Sequence, residues 1–374
     1  INLMKRILLI LVAAIMLSGC SGEKTYTING HITGDSDALF NGIAILSNRD
    51  SESPIRDTVQ IIQNKFTFTG SVQTPQYYYI SIQNIPGRVT IFLENDTYTI
   101  TGEQDNFSKS EIKGGKSQPL FNEYNNHITE VTEKYNIQQL IKDIRMDGVP
   151  QERKEEAESL YNACNDELEQ YRDSMMRAHE LSHFYLHHFN TIIDRYPLDS
   201  AIGIKDQFKA IKEFAGNKTL FKVEEYLNRE LALQKGEIAP DMTFADPSGN
   251  MITLSDIYKK NKITMIDFWA GWCGPCRNFN PTLLKIYNEY NKLGFEIYGV
   301  SLDRKKEDWV KAIEEDKLPW IHVSELKYWN GEGPKLYNVK YIPQNVFVDQ
   351  EGRIIGRQLA EEEIVPLLKE HLSK

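Results

Sequence analysis

The segment from Ile263 to Cys276 constrains the fold of this chain more than any other. Ile263–Trp269 is mostly apolar and predicts a buried strand. A three-residue link, Ala270–Trp272, leads to Cys273, and apolar residues at helical spacing follow Cys276. A strand that runs through a short loop into a helix places the first cysteine at the N-terminus of that helix.

The cysteine pair predicts thiol chemistry. Free N–H groups and the helix dipole stabilise a thiolate at a helix N-terminus, so the pKa of Cys273 should be low. Two intervening residues bring the Cys276 sulfur within reach, and the pair is expected to form a redox-active disulfide. We expect Cys273 to be the exposed nucleophile and Cys276 to resolve the mixed disulfide. Burial of Asp267 on the incoming strand should raise its pKa and allow it to take the proton from Cys276.

A Cys-x-x-Cys pair can also hold zinc. Tetrahedral zinc would need a second ligand pair, and the sequence has no second Cys-x-x-Cys and no nearby cysteine–histidine pair. We therefore expect no metal and no other cofactor at this pair.

The pattern after residue 237 alternates between strands and helices. Further strands are predicted at 295–300, 346–348 and 353–355, and helices at 308–315 and 362–372. Strand–helix–strand followed by a hairpin and a helix is the thioredoxin order.

Residues 237–374 resemble the thioredoxin superfamily. The resemblance is carried by Asp267-Phe-Trp-Ala270, by the Cys-Gly-Pro-Cys motif and by Tyr341-Ile342-Pro343. It implies an α/β thioredoxin fold and a cis-proline loop that faces the dithiol. It also implies a set of substrate-binding residues: Trp272, Gly274, Pro275, Ile342 and Pro343.

Within that superfamily the domain looks most like the TlpA/ResA-like thiol–disulfide oxidoreductases. Ala239–Phe244 and Gly299–Asp303 carry this likeness, whereas Phe279 and Gln344 depart from the family pattern and leave the substrate open. The likeness implies an envelope-anchored enzyme that exchanges disulfides with envelope proteins. The Gly-Pro dipeptide between the cysteines, together with Ile342, resembles reductants. Because a cell envelope is oxidising, a membrane thiol reductase is the expected electron donor.

Two other functions stay open for this chain. A peroxiredoxin-like peroxidase would need a threonine three residues before its cysteine, where this sequence has Ala270. About 230 residues precede the thioredoxin-like domain, so a binding or assembly lipoprotein with an accessory redox domain is the alternative.

The first 19 residues predict an export signal. Lys5 and Arg6 precede an apolar run of 11 residues, Ile7–Leu17, which is too short for a bilayer span of about 20. Leu17-Ser-Gly-Cys20 resembles the lipobox of bacterial lipoproteins, which implies cleavage before Cys20 and lipidation of that cysteine. An ordinary cleaved signal with a chance cysteine is the alternative. The expected location is the cell envelope, lipid-anchored and facing the periplasm.

Two regions separate the signal from the thioredoxin-like domain. Residues 20–114 have short alternating strands that predict an all-β, sandwich-like domain, with hairpin turns at Asn64-Lys65 and Asn95-Asp96. The segments Phe66-Thr-Phe-Thr-Gly70 and Phe92-Leu-Glu-Asn-Asp96 resemble a β-rich domain of unknown function found ahead of secreted thioredoxin-like domains. Residues 115–236 have helical periodicity, with an apolar stripe from Leu160 to Ala178 that includes Cys164 as a packed side chain. The net charge of −10 argues against nucleic acid as a partner.

The same helical region contains a His-Glu-x-x-His motif, from His179 to His183. On one helix, such a motif holds zinc between its histidines and uses Glu180 as a general base. A third ligand is required, and neither His187 nor His188 has the spacing of the metzincin pattern. A zinc protease is therefore a minor alternative, beside that of a charged helix flank.

Overall fold

The computed structural model describes residues 25–48, 54–146, 148–178 and 181–372. These residues divide into two compact units, one of residues 25–196 and 204–221, the other of residues 197–203 and 222–372. The export signal, Cys20, His179 and Glu180 lie outside the described residues. In the described part of the chain, every helix is too short or too polar to cross a lipid bilayer.

The first unit begins with a β-sandwich. Its strands are β1 (Tyr26–Thr33), β2 (Ile43–Ser47), β3 (Arg56–Gln60), β4 (Lys65–Gly70), β5 (Gln76–Ile82), β6 (Val89–Leu93), β7 (Thr97–Glu103) and β8 (Glu111–Gly114), and a short helix α1 (Asp37–Asn41) follows β1. Two four-stranded sheets, in the orders β4-β1-β7-β8 and β3-β2-β5-β6, contribute side chains to one apolar core. Alternation places every second residue of β1 and β4 in that core.

The predicted hairpin turns in this region are wrong in one respect. Gln63 and Asn64 do form a tight turn with positive φ, and Asn95 and Asp96 do separate two strands. In both cases, however, the strands on either side belong to different sheets. The turns therefore lead the chain from one sheet of the sandwich to the other. Strands that are consecutive in sequence at these turns pair with strands from elsewhere in the domain.

The helices of the first unit follow the sandwich. They are α2 (Gln118–Lys134), α3 (Ile137–Arg145), α4 (Gln151–Ala178), α5 (His183–Ile192) and α6 (Leu198–Lys209), the last of which extends into both units. Aromatic contacts join them to the β3-β2-β5-β6 sheet: the ring centroids of Tyr77 and Phe121 lie 5.4 Å apart, and those of Phe92 and Phe184 lie 5.6 Å apart. Cys164 is fully buried on α4, as predicted, whereas Leu160 of the same apolar stripe is exposed.

In the described part of the His-Glu-x-x-His motif, Leu181 and Ser182 are not helical, so His183 does not continue an earlier helix. Helix α4 ends at Ala178, and α5 begins at His183 with Ser182 as its N-cap, whose hydroxyl accepts a hydrogen bond from the Tyr185 N–H at 3.1 Å. Ser182 has extended backbone angles, so the helical spacing that a zincin helix needs is interrupted there. The physical reason for the interruption is the cap: the Ser182 hydroxyl accepts an N–H of the first turn of α5, which favours the start of a new helix at His183.

The second unit contains a seven-stranded sheet with helices. Its strands are β9 (Thr243–Ala245), β10 (Met251–Thr253), β11 (Ile263–Trp269), β12 (Phe295–Ser301), β13 (Ile321–Ser324), β14 (Gln344–Asp349) and β15 (Ile354–Arg357). Its helices are α7 (Lys218–Ala232, from Lys222 onward), α8 (Leu254–Tyr258), α9 (Gly274–Tyr290), α10 (Lys306–Asp316), α11 (Glu332–Leu336) and α12 (Glu361–Leu372).

The order of the strands in this sheet is β10-β9-β13-β12-β11-β14-β15. Strand β11 is an interior strand of this sheet; it is fully buried, parallel to β12 and antiparallel to β14. Because hydrogen-bonded strands flank β11 on both sides, the loop that follows it starts from the end of a paired, buried strand. The predicted class is confirmed: an N-terminal β domain, a helical middle and a C-terminal α/β thioredoxin fold.

Candidate active site

The loop after β11 delivers Cys273 to the first turn of α9. Cys273 is the N-cap of this helix, and the backbone N–H of Cys276 donates to its Sγ atom at 3.2 Å. The proline at the second helical position has no N–H to leave unsatisfied, which suits the start of a helix. This N–H donor and the positive end of the helix dipole together favour a thiolate at Cys273.

The two cysteines form a disulfide with a Cα–Cα distance of 5.3 Å. The expectation that Cys273 is exposed is wrong for this oxidised form, since Cys273 is 4% exposed and Cys276 is 2% exposed. The reason is the neighbouring loop: the carbonyl oxygen of Ile342 lies 3.8 Å from the Cys273 sulfur.

Asp267 is the charged residue of strand β11. It is 3% exposed, and burial raises the pKa of its carboxyl group from the ordinary value of 3.8 to about 7. Its neighbours in the sheet are Gly299 on β12 and Asn345 on β14. A carboxyl group with this pKa changes protonation in the neutral range, which a proton acceptor needs.

The remaining residues of the predicted site surround the disulfide in two segments. The Ile342–Pro343 peptide bond is cis, and both residues are half-buried. Trp272 is 48% exposed, so the residue just before the nucleophile presents a large apolar surface to solvent. Gly274 and Pro275 occupy the first turn of α9. Cys20, the predicted lipidation site, lies outside the described residues.

Three polar side chains that the sequence analysis did not assign hold the loop before Cys273. Asp303 is 1% exposed, accepts the Gly271 N–H at 2.9 Å and accepts the Ser301 hydroxyl at 2.8 Å. Arg277 donates to the Gly271 carbonyl at 3.2 Å. Ser301 and Asp303 belong to the Gly-Val-Ser-Leu-Asp segment that resembles the TlpA/ResA-like family. That likeness was the one sequence signal that could have identified them as site residues.

Arg277 is in turn fixed by carboxylates on α10. Its guanidinium donates to both oxygens of Asp316 and to Glu315, and Asn280 donates to Asp316 at 2.6 Å. These contacts lower the pKa of Asp316, although its partial burial acts in the opposite direction. Through Arg277, the first turn of α9 is therefore connected both to α10 and to the Gly271 carbonyl.

Three families match different parts of the chain. Residues 235–357 match the AhpC/TSA family, residues 26–121 match a domain of unknown function, DUF4369, and residues 4–21 match the prokaryotic membrane lipoprotein lipid attachment site. The last range includes Cys20. The DUF4369 range ends inside α2, so it includes the whole sandwich and the start of the helices.

Two named bacterial proteins are each similar to part of this chain. The thiol-disulfide oxidoreductase ResA of Bacillus cereus is 28% identical over 149 residues, which are 40% of this chain and 83% of ResA. The thioredoxin-like protein YneN of Bacillus subtilis is 31% identical over 133 residues, 35% of this chain and 75% of YneN.

A solved structure, the thioredoxin domain of a thiol-disulfide oxidoreductase from Bacteroides vulgatus, is 38% identical. The match covers 37% of this chain and 99% of that domain, with a TM-score of 0.35. The range that matches the AhpC/TSA family contains the disulfide at the start of α9 and the cis-proline loop beside it. This chain belongs to the thioredoxin-like thiol–disulfide oxidoreductases.

Proposed function

We propose that this protein is a lipid-anchored reductase of protein disulfides in the cell envelope, with Cys273 as its nucleophile. The observation that carries the proposal is the position of Cys273 as the N-cap of α9, where its sulfur accepts the Cys276 N–H. A sulfur in this environment is stabilised as the thiolate, which is the attacking species in thiol–disulfide exchange.

The reaction has two exchange steps. The Cys273 thiolate attacks one sulfur of a substrate disulfide; a bond forms between them, the substrate S–S bond breaks, and its other sulfur leaves as a thiolate. Asp267 then accepts the proton of Cys276, whose thiolate attacks the Cys273 sulfur. The Cys273–Cys276 disulfide forms and the substrate is released with both cysteines reduced, so two electrons pass from the dithiol to the substrate. The described structure corresponds to the oxidised product of this sequence.

Ile342 and Pro343 are proposed to bind the backbone of the substrate. The Ile342 carbonyl lies beside the reactive sulfur and is a hydrogen-bond acceptor of the kind that an extended backbone can use. Trp272, Gly274 and Pro275 complete this surface. A contact with the substrate backbone does not require any particular charge on the substrate.

The direction of electron flow is proposed from the Gly-Pro dipeptide between the cysteines. Thioredoxin, a reductant, has a potential of about −270 mV, whereas the oxidant DsbA lies at about −120 mV. We expect a value near the former. Equilibration of the purified protein with dithiothreitol redox buffers measures it, and a potential near −120 mV would reverse the proposed direction.

The proposed location is the periplasmic face of a membrane, with a lipid on Cys20 as the anchor. The match of residues 4–21 to a lipid attachment site supports the anchor. Disulfide-bonded envelope proteins would be the substrates. Each turnover oxidises the dithiol, so a membrane thiol reductase is proposed to return the two electrons.

Insulin reduction tests the proposal. The wild-type chain should accelerate precipitation of the insulin B chain in the presence of dithiothreitol, and Cys273→Ser should not. Equal rates for the two proteins would show that Cys273 is not the nucleophile.

A further inference from the structure

The loop of residues 325–331, which follows β13, has an unusual backbone. Leu326 and Tyr328 have φ values of 56° and 58°, in the left-handed region that bulky residues seldom adopt. Such conformations persist where surrounding interactions hold them, and they concentrate at functional sites.

Local hydrogen bonds hold the 325–331 loop in this shape. The Ser324 hydroxyl accepts the Leu326 N–H at 3.0 Å, and the Glu325 carboxylate accepts the Gly333 N–H at 3.0 Å. A side chain at Gly331 would collide with Glu325, since a Cβ atom there would lie 2.6 Å from Oε2. The loop is therefore held at one end by the last residue of β13 and at the other by the start of α11.

The strained loop places two aromatic rings beside the residue that precedes the nucleophile. The ring centroid of Trp272 lies 5.3 Å from that of Tyr328 and 6.4 Å from that of Trp329, and Tyr328 and Trp329 lie 5.8 Å apart. The guanidinium of Arg304 lies 4.2 Å above the Tyr328 ring and holds it by a cation–π contact. Trp329 is half-buried against the core, whereas 48% of Trp272 is exposed.

We propose that Trp272, Tyr328 and Trp329, here called the aromatic subsite, receive an aromatic or large apolar side chain next to the reactive cysteine of a polypeptide substrate. This inference rests on the proposed function, because the occupant is the segment that Cys273 holds during exchange. The aromatic subsite would let the protein distinguish substrates by the residue next to their cysteine, which the dithiol alone cannot do.

Covalent geometry identifies the occupant. In the mixed disulfide, the Cα atom of the substrate cysteine lies about 5.5 Å from that of Cys273, and the next substrate residue lies about 3.8 Å farther along its chain. Trp272 is one residue from Cys273, so side chains that flank the substrate cysteine come within reach of its exposed face. The occupant is therefore a substrate segment tethered at its cysteine.

The chemistry of the three rings selects the side chain. Aromatic rings prefer edge-to-face or offset contacts with other rings and gain from burial of apolar area. A serine side chain in the same place would be removed from water without a matching apolar contact. We therefore expect phenylalanine beside the substrate cysteine to be preferred over serine by about tenfold in kcat/KM.

Two activated peptides test the aromatic subsite. Each has a single cysteine in a mixed disulfide with 5-thio-2-nitrobenzoate, and they differ only in phenylalanine or serine next to that cysteine. Attack by reduced Cys273 on the peptide sulfur forms the new disulfide and releases the coloured thiolate. The rate is measured for the wild type, Tyr328→Asn, Trp329→Ala and Tyr341→Ala. Asparagine tolerates the left-handed backbone at position 328, so that variant removes the ring without straining the loop.

Tyr341→Ala is the matched control. Tyr341 is 56% exposed and adjoins Ile342, but it is outside the aromatic subsite. The wild type and Tyr341→Ala should prefer the phenylalanine peptide by about tenfold, and Tyr328→Asn and Trp329→Ala should reduce the preference to about twofold or less. The subsite is overturned by equal wild-type rates, by a preference retained in both subsite variants, or by a preference lost in Tyr341→Ala.

The small disulfide 5,5′-dithiobis(2-nitrobenzoate) separates failure of the subsite from failure of the proposed function. If the wild type reduces neither this reagent nor the peptides, the proposed function is wrong and the subsite falls with it. If it reduces the reagent and both peptides equally well, only the subsite is wrong.

Discussion

Asp267 shows how the burial of one carboxyl group makes the stability of the fold depend on pH. Its pKa is about 7 in the folded chain, against an ordinary value of 3.8, and burial is the cause. The folded chain therefore holds a proton that the unfolded chain releases between about pH 4 and pH 7. Stability falls as the pH rises through that window, and the penalty is complete above pH 7.

Asp267→Asn should therefore stabilise the folded chain at pH 8. A difference of three pKa units corresponds to about 4 kcal/mol, because each unit is worth about 1.4 kcal/mol. Urea unfolding of the oxidised protein at pH 8 and at pH 4 measures the effect, which should be large at pH 8 and nearly absent at pH 4. Asp256→Asn, at an exposed position, is the control and should change neither value. A stabilisation of the same size at both pH values would contradict the raised pKa.

Gly271 illustrates a close approach that only glycine permits. A Cβ atom at this position would lie 2.9 Å from the Ala312 Cβ and 3.2 Å from the Asp308 carbonyl oxygen, both on α10. Gly271→Ala should therefore displace the loop before Cys273 and destabilise the second unit by about 1–3 kcal/mol. Thermal unfolding measures the loss.

Gly274→Ala is the matched control for this substitution. No heavy atom outside its immediate neighbours lies within 4 Å of a Cβ placed at Gly274, and its position is inside a helix. Alanine is the better helix former there, so the unfolding temperature should stay equal or rise. An equal loss in both variants would show that crowding against α10 is not the cause.

At the scale of elements, the part of helix α7 from Lys222 onward belongs to the second unit, with the seven-stranded sheet. Glu230 on this helix makes two hydrogen bonds to Arg357 on β15, at 2.7 and 3.1 Å, and both side chains are 16% exposed. The Asn338 amide also donates to Glu230 at 2.9 Å. These contacts lower the pKa of Glu230 although its burial opposes them. A domain boundary drawn at 236 and 237 would separate this pair.

Glu230→Gln should destabilise the second unit at neutral pH by about 3 kcal/mol, because Arg357 would keep its buried charge without a carboxylate. The pKa of Glu230 is lowered in the folded chain, so its contribution is complete above the unfolded value near 4.3 and is lost as the pH falls through the folded value. Urea unfolding at pH 7 should show the loss, and it should shrink toward pH 3. Exposed Glu225→Gln is the control on the same helix; equal losses in both variants would refute the ion-pair account.

The sequence predicted the elements whose signal is local. Strand β11 has the bounds expected from its apolar run, and α9 begins at the residue after Cys273. Strand β13 was not predicted, because its four residues include His322 and Ser324, whose burial comes from neighbouring strands. The link between Glu230 and Arg357 spans 127 residues and has no signature in either local segment.

The site residues also divide into those with a local sequence signal, which were predicted, and those that depend on long-range contacts, which were not. The dithiol, Asp267 and the cis-proline loop were identified from a compact motif and a family likeness. The roles of Arg277 and Asp316 were not, since a surface arginine and an aspartate 39 residues away form a pair only after α9 and α10 are placed side by side. The exposure of Cys273 was wrong because the covering carbonyl of Ile342 lies 69 residues from it in sequence.

On the scale of the whole molecule, the chain combines a match to a lipid attachment site, a sandwich with its helices, and a unit that contains the disulfide. We expect Cys20→Ala to abolish incorporation of labelled palmitate and to release the protein from the membrane fraction, because the lipid is the proposed anchor. Cys164→Ala is the control, since this cysteine is fully buried and should not change labelling. Label retained without Cys20 would place the lipid elsewhere.

The central claim is that Cys273 forms a mixed disulfide with a protein substrate, and trapping tests it most directly. Cys276→Ser removes the resolving thiol, so the exchange should stop at the covalent intermediate. The reduced variant is mixed with a disulfide-bonded protein such as insulin, quenched in acid and analysed by intact-mass spectrometry and peptide mapping. We predict an adduct linked through Cys273, which Cys273→Ser lacks and dithiothreitol releases. Absence of the adduct in Cys276→Ser, or an adduct linked through Cys164, would contradict the account.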